Sequence, residues 1–229
     1  YDAAAPDVVL VEPTPRNKIL AGLLAAQLGT AVVSDITAID GDTVTTMYFG
    51  GLAESKQKAS AAKIYTVAAT CFDAAEATGS DAVEAIAYTA PAKPLVLRGT
   101  KEVPAQGADL TKCDVVVGAG RGFVEEADLQ MARDLAAKVN GEVGCSRPLA
   151  ENVTWMPRNL YIGVSGLQLA PKAYIALGIS GQMQHMVGVT GADTVIAVNK
   201  DANAPIFKQC DYGIVGDIYK VIPALIEKL

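Results

Sequence analysis

The chain has 229 residues, 51% of them hydrophobic and 19% charged, which is enough apolar material for a sizeable core and too much for a disordered chain. Its 25 acidic residues outnumber 19 basic ones, and the formal net charge of −6 excludes a broad phosphate-binding face for nucleic acid. No run approaches the ~18 uninterrupted apolar residues that span a bilayer, so no membrane insertion is expected.

The four cysteines, Cys71, Cys113, Cys145 and Cys210, are scattered, and the chain has a single histidine. That pattern disfavours a zinc site or a disulfide framework and reads as reduced thiols packed like small hydrophobes.

In chain order, the apolar run 8–11 reads as a strand buried in a parallel sheet. Thr14-Pro15 then caps a helix with Leu20, Leu24 and Leu28 at helical spacing, stopped by Gly29, and 31–33 returns as a strand. Asp40-Gly41-Asp42 lies between β-branched arms at 37–39 and 44–48, a hairpin signal. Further strands are predicted over 63–69 and 82–88. The Pro- and Gly-rich segment 90–108 suits a connector, placing a boundary near Leu110 and domains at 1–109 and 110–229.

Beyond it, strands are predicted over 114–117, 142–145, 161–164, 173–178, 194–198 and 212–215. The clearest helix spans 124–139, with Val124, Asp128, Met131, Ala132, Leu135 and Val139 stepping along one face. Short helical turns fit 181–187, and a last helix runs from Asp217, with Pro223 expected to kink it. Strands alternating with helices define an α/β chain: an N-terminal α/β domain, then a parallel sheet with helices on both faces.

Chemistry concentrates where predicted strands end. Gly120-Arg121-Gly122 follows the strand 114–117 and precedes a helix, where close backbone approach and free amides suit a phosphate; the spacing departs from G-x-G-x-x-G, and a structural turn suits it nearly as well. Ser146-Arg147 follows the strand 142–145, where a dinucleotide fold for NAD expects a ribose-binding acid. Gly178-Ile179-Ser180-Gly181 opens a short helix containing His185. A nucleophile elbow is disfavoured, because His185 sits on the same short helix and cannot readily swing back to Ser180. Asn199-Lys200-Asp201 and Asp217 add polar groups at two more strand ends, completing an edge fit for one extended nucleotide.

Taken together, Gly120-Arg121-Gly122, Ser146-Arg147, Gly178-Ile179-Ser180-Gly181 with Gln184-His185, Asn199-Lys200-Asp201, and Asp211-Tyr212-Gly213-Ile214-Val215 with Asp217 resemble the FAD-binding domain of the electron-transfer flavoprotein alpha subunit. Thr14-Pro15-Arg16, Val33-Ser34-Asp35 and Tyr48-Phe49-Gly50-Gly51 resemble its first domain. In the family another strand and helix precede these, so the chain is expected to lack the front of that domain.

The resemblance implies FAD along the carboxyl edge of the second sheet. Gly120, Arg121, Gly122, Ser146, Asn199, Asp217 and Ile218 match cofactor-binding positions. So do the loop Ile162, Gly163, Val164 and Ser165 and the stretch Ser180, Gly181, Gln182, Met183, Gln184 and His185. Arg147 matches an arginine over the flavin ring, Ser165 a hydroxyl near flavin N5, and His185 a histidine directed at the N1/O2 side, where a cationic or N–H-donating group favours reduced flavin. Many relatives carry Gln-Val-Gly-Gln-Thr-Gly where this chain has Tyr161-Ile162-Gly163-Val164-Ser165-Gly166, so two amide side chains are lost.

The implied function is an electron carrier, not a substrate-converting enzyme, between flavin dehydrogenases of the acyl-CoA dehydrogenase type, as in fatty acid oxidation, and a membrane or soluble acceptor. Its partner is a beta subunit holding AMP or a second FAD; the latter allows bifurcation from NADH. The implied location is cytoplasmic, or the mitochondrial matrix in a eukaryote. Two alternatives remain open: a pyridine-nucleotide domain of a transhydrogenase-like or thiamine-diphosphate-dependent enzyme, and a module that senses an adenine nucleotide without redox chemistry.

Overall fold

A computed structural model describes residues 1–58, 63–72, 75–76, 78–79, 83–94, 96–101 and 107–229. In the first part, β1 (Val8–Val11) leads to α1 (Pro15–Leu28), with Thr14 accepting the Asn17 N–H at 3.2 Å and Gly29 ending the helix at φ +64°. The helix turns Ala21 and Ala25 inward with Leu24 and Leu28 beside them, while Leu20 is exposed. The helix is apolar on more than one side, and small alanines permit the closest approach to the sheet, so spacing alone did not select the buried stripe.

β2 (Val32–Val33) follows, then the predicted hairpin as β3 (Ile36–Asp40) and β4 (Thr43–Tyr48), with Gly41 at φ +57°. An unpredicted strand, β5 (Ala53–Lys58), pairs antiparallel with β4. Its sequence Ala-Glu-Ser-Lys-Gln-Lys has no apolar alternation because it is an edge strand protected by lysines. β6 (Lys63–Thr66) is shorter than predicted and enters a parallel sheet of order β1-β6-β2, while β3-β4-β5 form a separate meander.

The predicted strand 82–88 is not formed: Val83 to Tyr88 carry no regular structure, and Val83, Ile86 and Tyr88 are exposed, while residue 82 lies outside the described residues. Local β-propensity without a partner strand does not hold a strand.

The second part contains β7 (Val115–Ala119), α2 (Leu129–Lys138), β8 (Glu142–Cys145), α3 (Arg147–Glu151), β9 (Ala173–Leu177), α4 (Met183–Met186), β10 (Thr194–Asn199), β11 (Tyr212–Val215) and α5 (Ile218–Lys228). The strands are all parallel in the order β11-β10-β9-β7-β8. Counted within this sheet the order is 2-1-3-4-5, and the direction of progression reverses between β7 and β9. Ligands bind at the carboxyl ends of strands at such a switch point.

The helix predicted from residue 124 begins later. Glu126–Asp128 form a 3₁₀ turn, and Asp128 accepts hydrogen bonds from the Glu125 N–H and the Tyr219 hydroxyl, so it ties α5 to the loop after β7 and does not join an apolar face. Leu129, Ala132, Leu135 and Ala136 are buried; Val124 is exposed. Residues 161–164 form no strand. Tyr161 and Ile162 make only single bridges, to Cys145 and Leu167, because the chain turns back at Gly163 (φ +146°). α5 runs continuously through Pro223.

The switch point closes through glycines. Gly178 has φ +63°, and a Cβ there would stand 2.6 Å from Gly122 Cα; the Gly122 N–H donates to its carbonyl at 3.0 Å. We expect Gly178→Ala to cost roughly 3 kcal/mol of stability, the sum of left-handed strain and a backbone clash. Urea unfolding followed by the single tryptophan, Trp155, which packs on this core, measures it; a loss below about 1 kcal/mol contradicts the packing role.

Candidate functional site

A cavity of about 400 Å³ opens at the carboxyl ends of β7, β8, β9 and β10, within the range of small-ligand sites. Arg121 and Gly122 enter it after β7, and Ser146, Arg147 and Pro148 after β8. Gly178, Ile179, Ser180 and Gln182 come from the end of β9, Gln184 and His185 from α4, and Asn199 and Lys200 from the end of β10. Tyr161, Ile162 and Val164 complete the wall. The lining carries three cations and no carboxylate, a charge balance that suits a polyanion.

A second cavity, about 680 Å³, lies against Thr14, Asp35 and Met47 and shares Val164 with the first. It is larger, but its one lysine, Lys18, is already paired with Asp35 at 2.9 Å. Convergence of three cations without a lining carboxylate, more than volume, singles out the smaller cavity.

Of the residues expected from the sequence, Arg121, Gly122, Ser146, Arg147, Ile162, Val164, Ser180, Gln182, Gln184, His185 and Asn199 come together on this lining. Gly120, Gly163, Ser165, Gly181, Met183, Asp217 and Ile218 are not on it. Gly120 packs against the Gly178 carbonyl, and Gly181 against the Ile206 backbone. Ser165 Oγ sits 3.0 Å from the Tyr161 hydroxyl. Asp217 accepts the Tyr219 N–H at 3.0 Å as the cap of α5, whose first residue, Ile218, is buried. Tyr161 and Pro148 were not among the expected site residues, and Lys200 was named only within Asn199-Lys200-Asp201, because nothing in their spacing shows that three separate loops converge.

Several expected ligand groups also have internal duties. Asn199 donates to the Ile179 carbonyl and accepts the Asp201 N–H, both at 2.9 Å, bracing the loop after β9. Arg147 bonds Glu151 at 2.6 Å, and Glu151 also meets Arg158 at 3.0 Å. This pairing raises the Arg147 guanidinium and lowers the Glu151 carboxyl from their ordinary values. The Ser146 hydroxyl makes no capping bond to α3 and faces the cavity.

His185 is, with Ser146, one of two buried polar residues of the site, each 8% exposed. Its Nε2 lies 2.7 Å from the hydroxyl of fully buried Tyr174, while its buried Nδ1 has no hydrogen-bond partner. Burial pushes the imidazole down from 6.5 to about 4, and the nearby Ile162 backbone opposes this without closing a bond to Nδ1. The ring is therefore neutral at pH 7 in the ligand-free protein, which narrows the expected cationic or N–H-donating role to the latter. An orphaned nitrogen at the wall of a cation-lined cavity is what a bound dinucleotide with a ring acceptor would satisfy, so the residues present fit such a group.

Two family models match the chain: the electron transfer flavoprotein domain over residues 2–93 and the electron transfer flavoprotein FAD-binding domain over residues 109–190. YdiR of Escherichia coli (strain K12), named as an electron transfer flavoprotein subunit, is 46% identical over 98% of this chain and 74% of its own length. The chain belongs to the electron transfer flavoprotein family. FixB of Escherichia coli O1:K1 / APEC is 41% identical over 96% of this chain and 73% of its own. The chain is thus an alpha-type subunit of an electron-transfer protein, and its second part matches that family's FAD-binding domain. This displaces the transhydrogenase-like alternative, which needed an acid after β8 where the lining has none. Among the described residues, no helix is long and apolar enough to cross a membrane.

The depressed His185 pKa gives a signed expectation. Between about 4 and 6.5 the unfolded chain binds a proton that the folded chain does not, so this contribution is complete above pH 6.5 and is lost as pH falls toward 4. Its size is at most roughly 3.5 kcal/mol, at ~1.4 kcal/mol per unit. Urea midpoints from pH 4 to 7.5 should rise with pH in the parent chain and flatten in His185→Gln; parallel curves rule this origin out.

Proposed function

We infer that the chain holds FAD at the carboxyl edge of its five-stranded sheet. It then carries electrons between flavin-linked dehydrogenases, of the acyl-CoA dehydrogenase type, and a downstream acceptor. The observation that carries this reading is the cavity itself: three cations, no carboxylate and one unsatisfied buried imidazole nitrogen at the switch point of a family flavin domain. FAD, when bound, supplies the redox chemistry, and the protein supplies binding, orientation and electrostatics.

Arg121, Arg147 and Lys200 balance phosphate charge, and Ser146, Ser180, Gln182 and Gln184 offer hydrogen bonds. Ile162, Val164 and Ile179 keep water from the apolar wall. Asn199 and Gly122 shape the loops, and Gly120, Gly163, Gly181, Met183, Asp217 and Ile218 support them from behind. His185 donates Nδ1–H to an acceptor on the ring. Ser165 reaches the ring only if its hydroxyl turns away from Tyr161. A beta subunit completes the carrier.

The test is the nucleotide released by heat from the purified complex with its beta subunit. FAD supports the reading; a nicotinamide or adenine nucleotide alone overturns it. FAD with AMP indicates a simple carrier and two FAD a bifurcating one. Arg121→Ala should weaken FAD retention ten- to a hundred-fold, the worth of one charge-assisted hydrogen bond, with unfolding unchanged; unaltered retention removes Arg121 from the site.

A further inference from the structure

His185 carries one hydrogen on its neutral ring, and which nitrogen holds it decides whether the cavity meets a donor or an acceptor. The choice is set by a residue that never touches the cavity. Tyr174 lies in the middle of β9, paired with Val116 on β7 and Val195 on β10, and its side chain is fully buried. Its hydroxyl reaches under β7 at Gly118, where any Cβ would collide with it, and ends 2.7 Å from His185 Nε2. That nitrogen is the hydroxyl's one partner among the described residues.

Two arrangements are available. If Nε2–H donated to the Tyr174 oxygen, the phenolic proton and the Nδ1 lone pair would both be buried without partners. If the phenol donates to Nε2, the one unmet donor is the buried Nδ1–H of this cavity-lining residue. Burial raises the Tyr174 pKa and keeps the phenol protonated in either arrangement, so the count of unmet groups decides between them. Leaving a buried polar group unmet costs on the order of 1–3 kcal/mol each, so the arrangement with fewer orphans dominates.

We propose that Tyr174 is a positioning residue that fixes His185 as the Nδ1–H tautomer, making it a neutral hydrogen-bond donor to a ligand carbonyl oxygen or deprotonated ring nitrogen. Gly118 is part of the device, since only a residue without a side chain lets the phenol through. Nothing in the local sequence of His185 announces this, because the controlling hydroxyl is eleven residues upstream on another element.

His185 is the only histidine in the chain, so ¹⁵N-histidine labelling gives one imidazole. In the unmutated, ligand-free chain at pH 7.5, long-range ¹H–¹⁵N spectra should show Nδ1 protonated and Nε2 bare. In Tyr174→Phe, which keeps the ring and loses the hydroxyl, the Nε2–H form should become populated, with Trp155 fluorescence reporting an unchanged fold. A protonated Nε2 in the parent chain, or an unaltered tautomer in folded Tyr174→Phe, overturns the proposal.

A second arm rests on the FAD reading above. Tyr174→Phe should weaken FAD affinity about tenfold, while adding it to His185→Ala should weaken it no further, because it acts through the imidazole. Additive losses overturn the proposal. If no FAD binds but the Nδ1–H tautomer is present, the flavin reading fails and the Tyr174 assignment stands. FAD binding with the opposite tautomer does the reverse, sinking the Tyr174 assignment and sparing the flavin reading.

Discussion

The loop after β7 and the loop after β9 approach so closely that neither can carry a side chain where they touch. The Gly120 N–H donates to Leu177 O at 2.9 Å and the Gly122 N–H to Gly178 O at 3.0 Å, with the Gly178 backbone at φ +63° filling the space a Cβ would need. These bonds weld two strand ends into the floor of the cavity. They also consume two backbone donors that a glycine-rich loop offers to a phosphate in other folds. The positive charge on the cavity wall therefore comes from side chains, Arg121, Arg147 and Lys200, which reach in from three different strand ends.

This division of labour explains the balance between stability and function at His185. A core position filled by an aliphatic residue would satisfy packing at no polar expense. The imidazole instead leaves one nitrogen unmet by any protein group, an offset of about 1–3 kcal/mol against folding. A ligand acceptor at that nitrogen would recover the loss, so ligand binding would raise apparent stability by mass action.

How much of this was legible in the sequence follows the range of the interactions. The cap at Thr14, the stop at Gly29 and the hairpin at Gly41 are local devices, and each stands where its residues predicted. The order of elements in the second half was legible because buried parallel strands are continuous apolar runs. β5 was not, since an exposed edge strand carries no alternation. The stretch 161–164 looked like a strand from Tyr161, Ile162 and Val164, but the turn at Gly163 outweighs their propensity. At the site, glycines at strand ends were visible while their purpose was not: Gly120 read as part of a phosphate loop and serves to admit a carbonyl. Tyr174 was invisible because its role depends on which strands are neighbours.

The site therefore has a fixed part and an adjustable part. Rotating His185 would strand the Tyr174 hydroxyl as well as the imidazole, inside a core where neither has a second partner among the described residues. Ser165 is different: it is an exposed residue whose hydroxyl is tied to Tyr161, so turning it toward the cavity exchanges one neutral hydrogen bond worth about 1 kcal/mol. Arg147 is likewise 62% exposed, and its pair with Glu151 is the screened, surface kind that contributes little to holding a geometry. Glu151 retains Arg158 as a partner when Arg147 leaves. The side chains that meet the outer edge of a ligand are thus cheap to move, and the one that meets its buried edge is not. That asymmetry lets ligand entry adjust the rim while the donor at the back stays where the sheet put it.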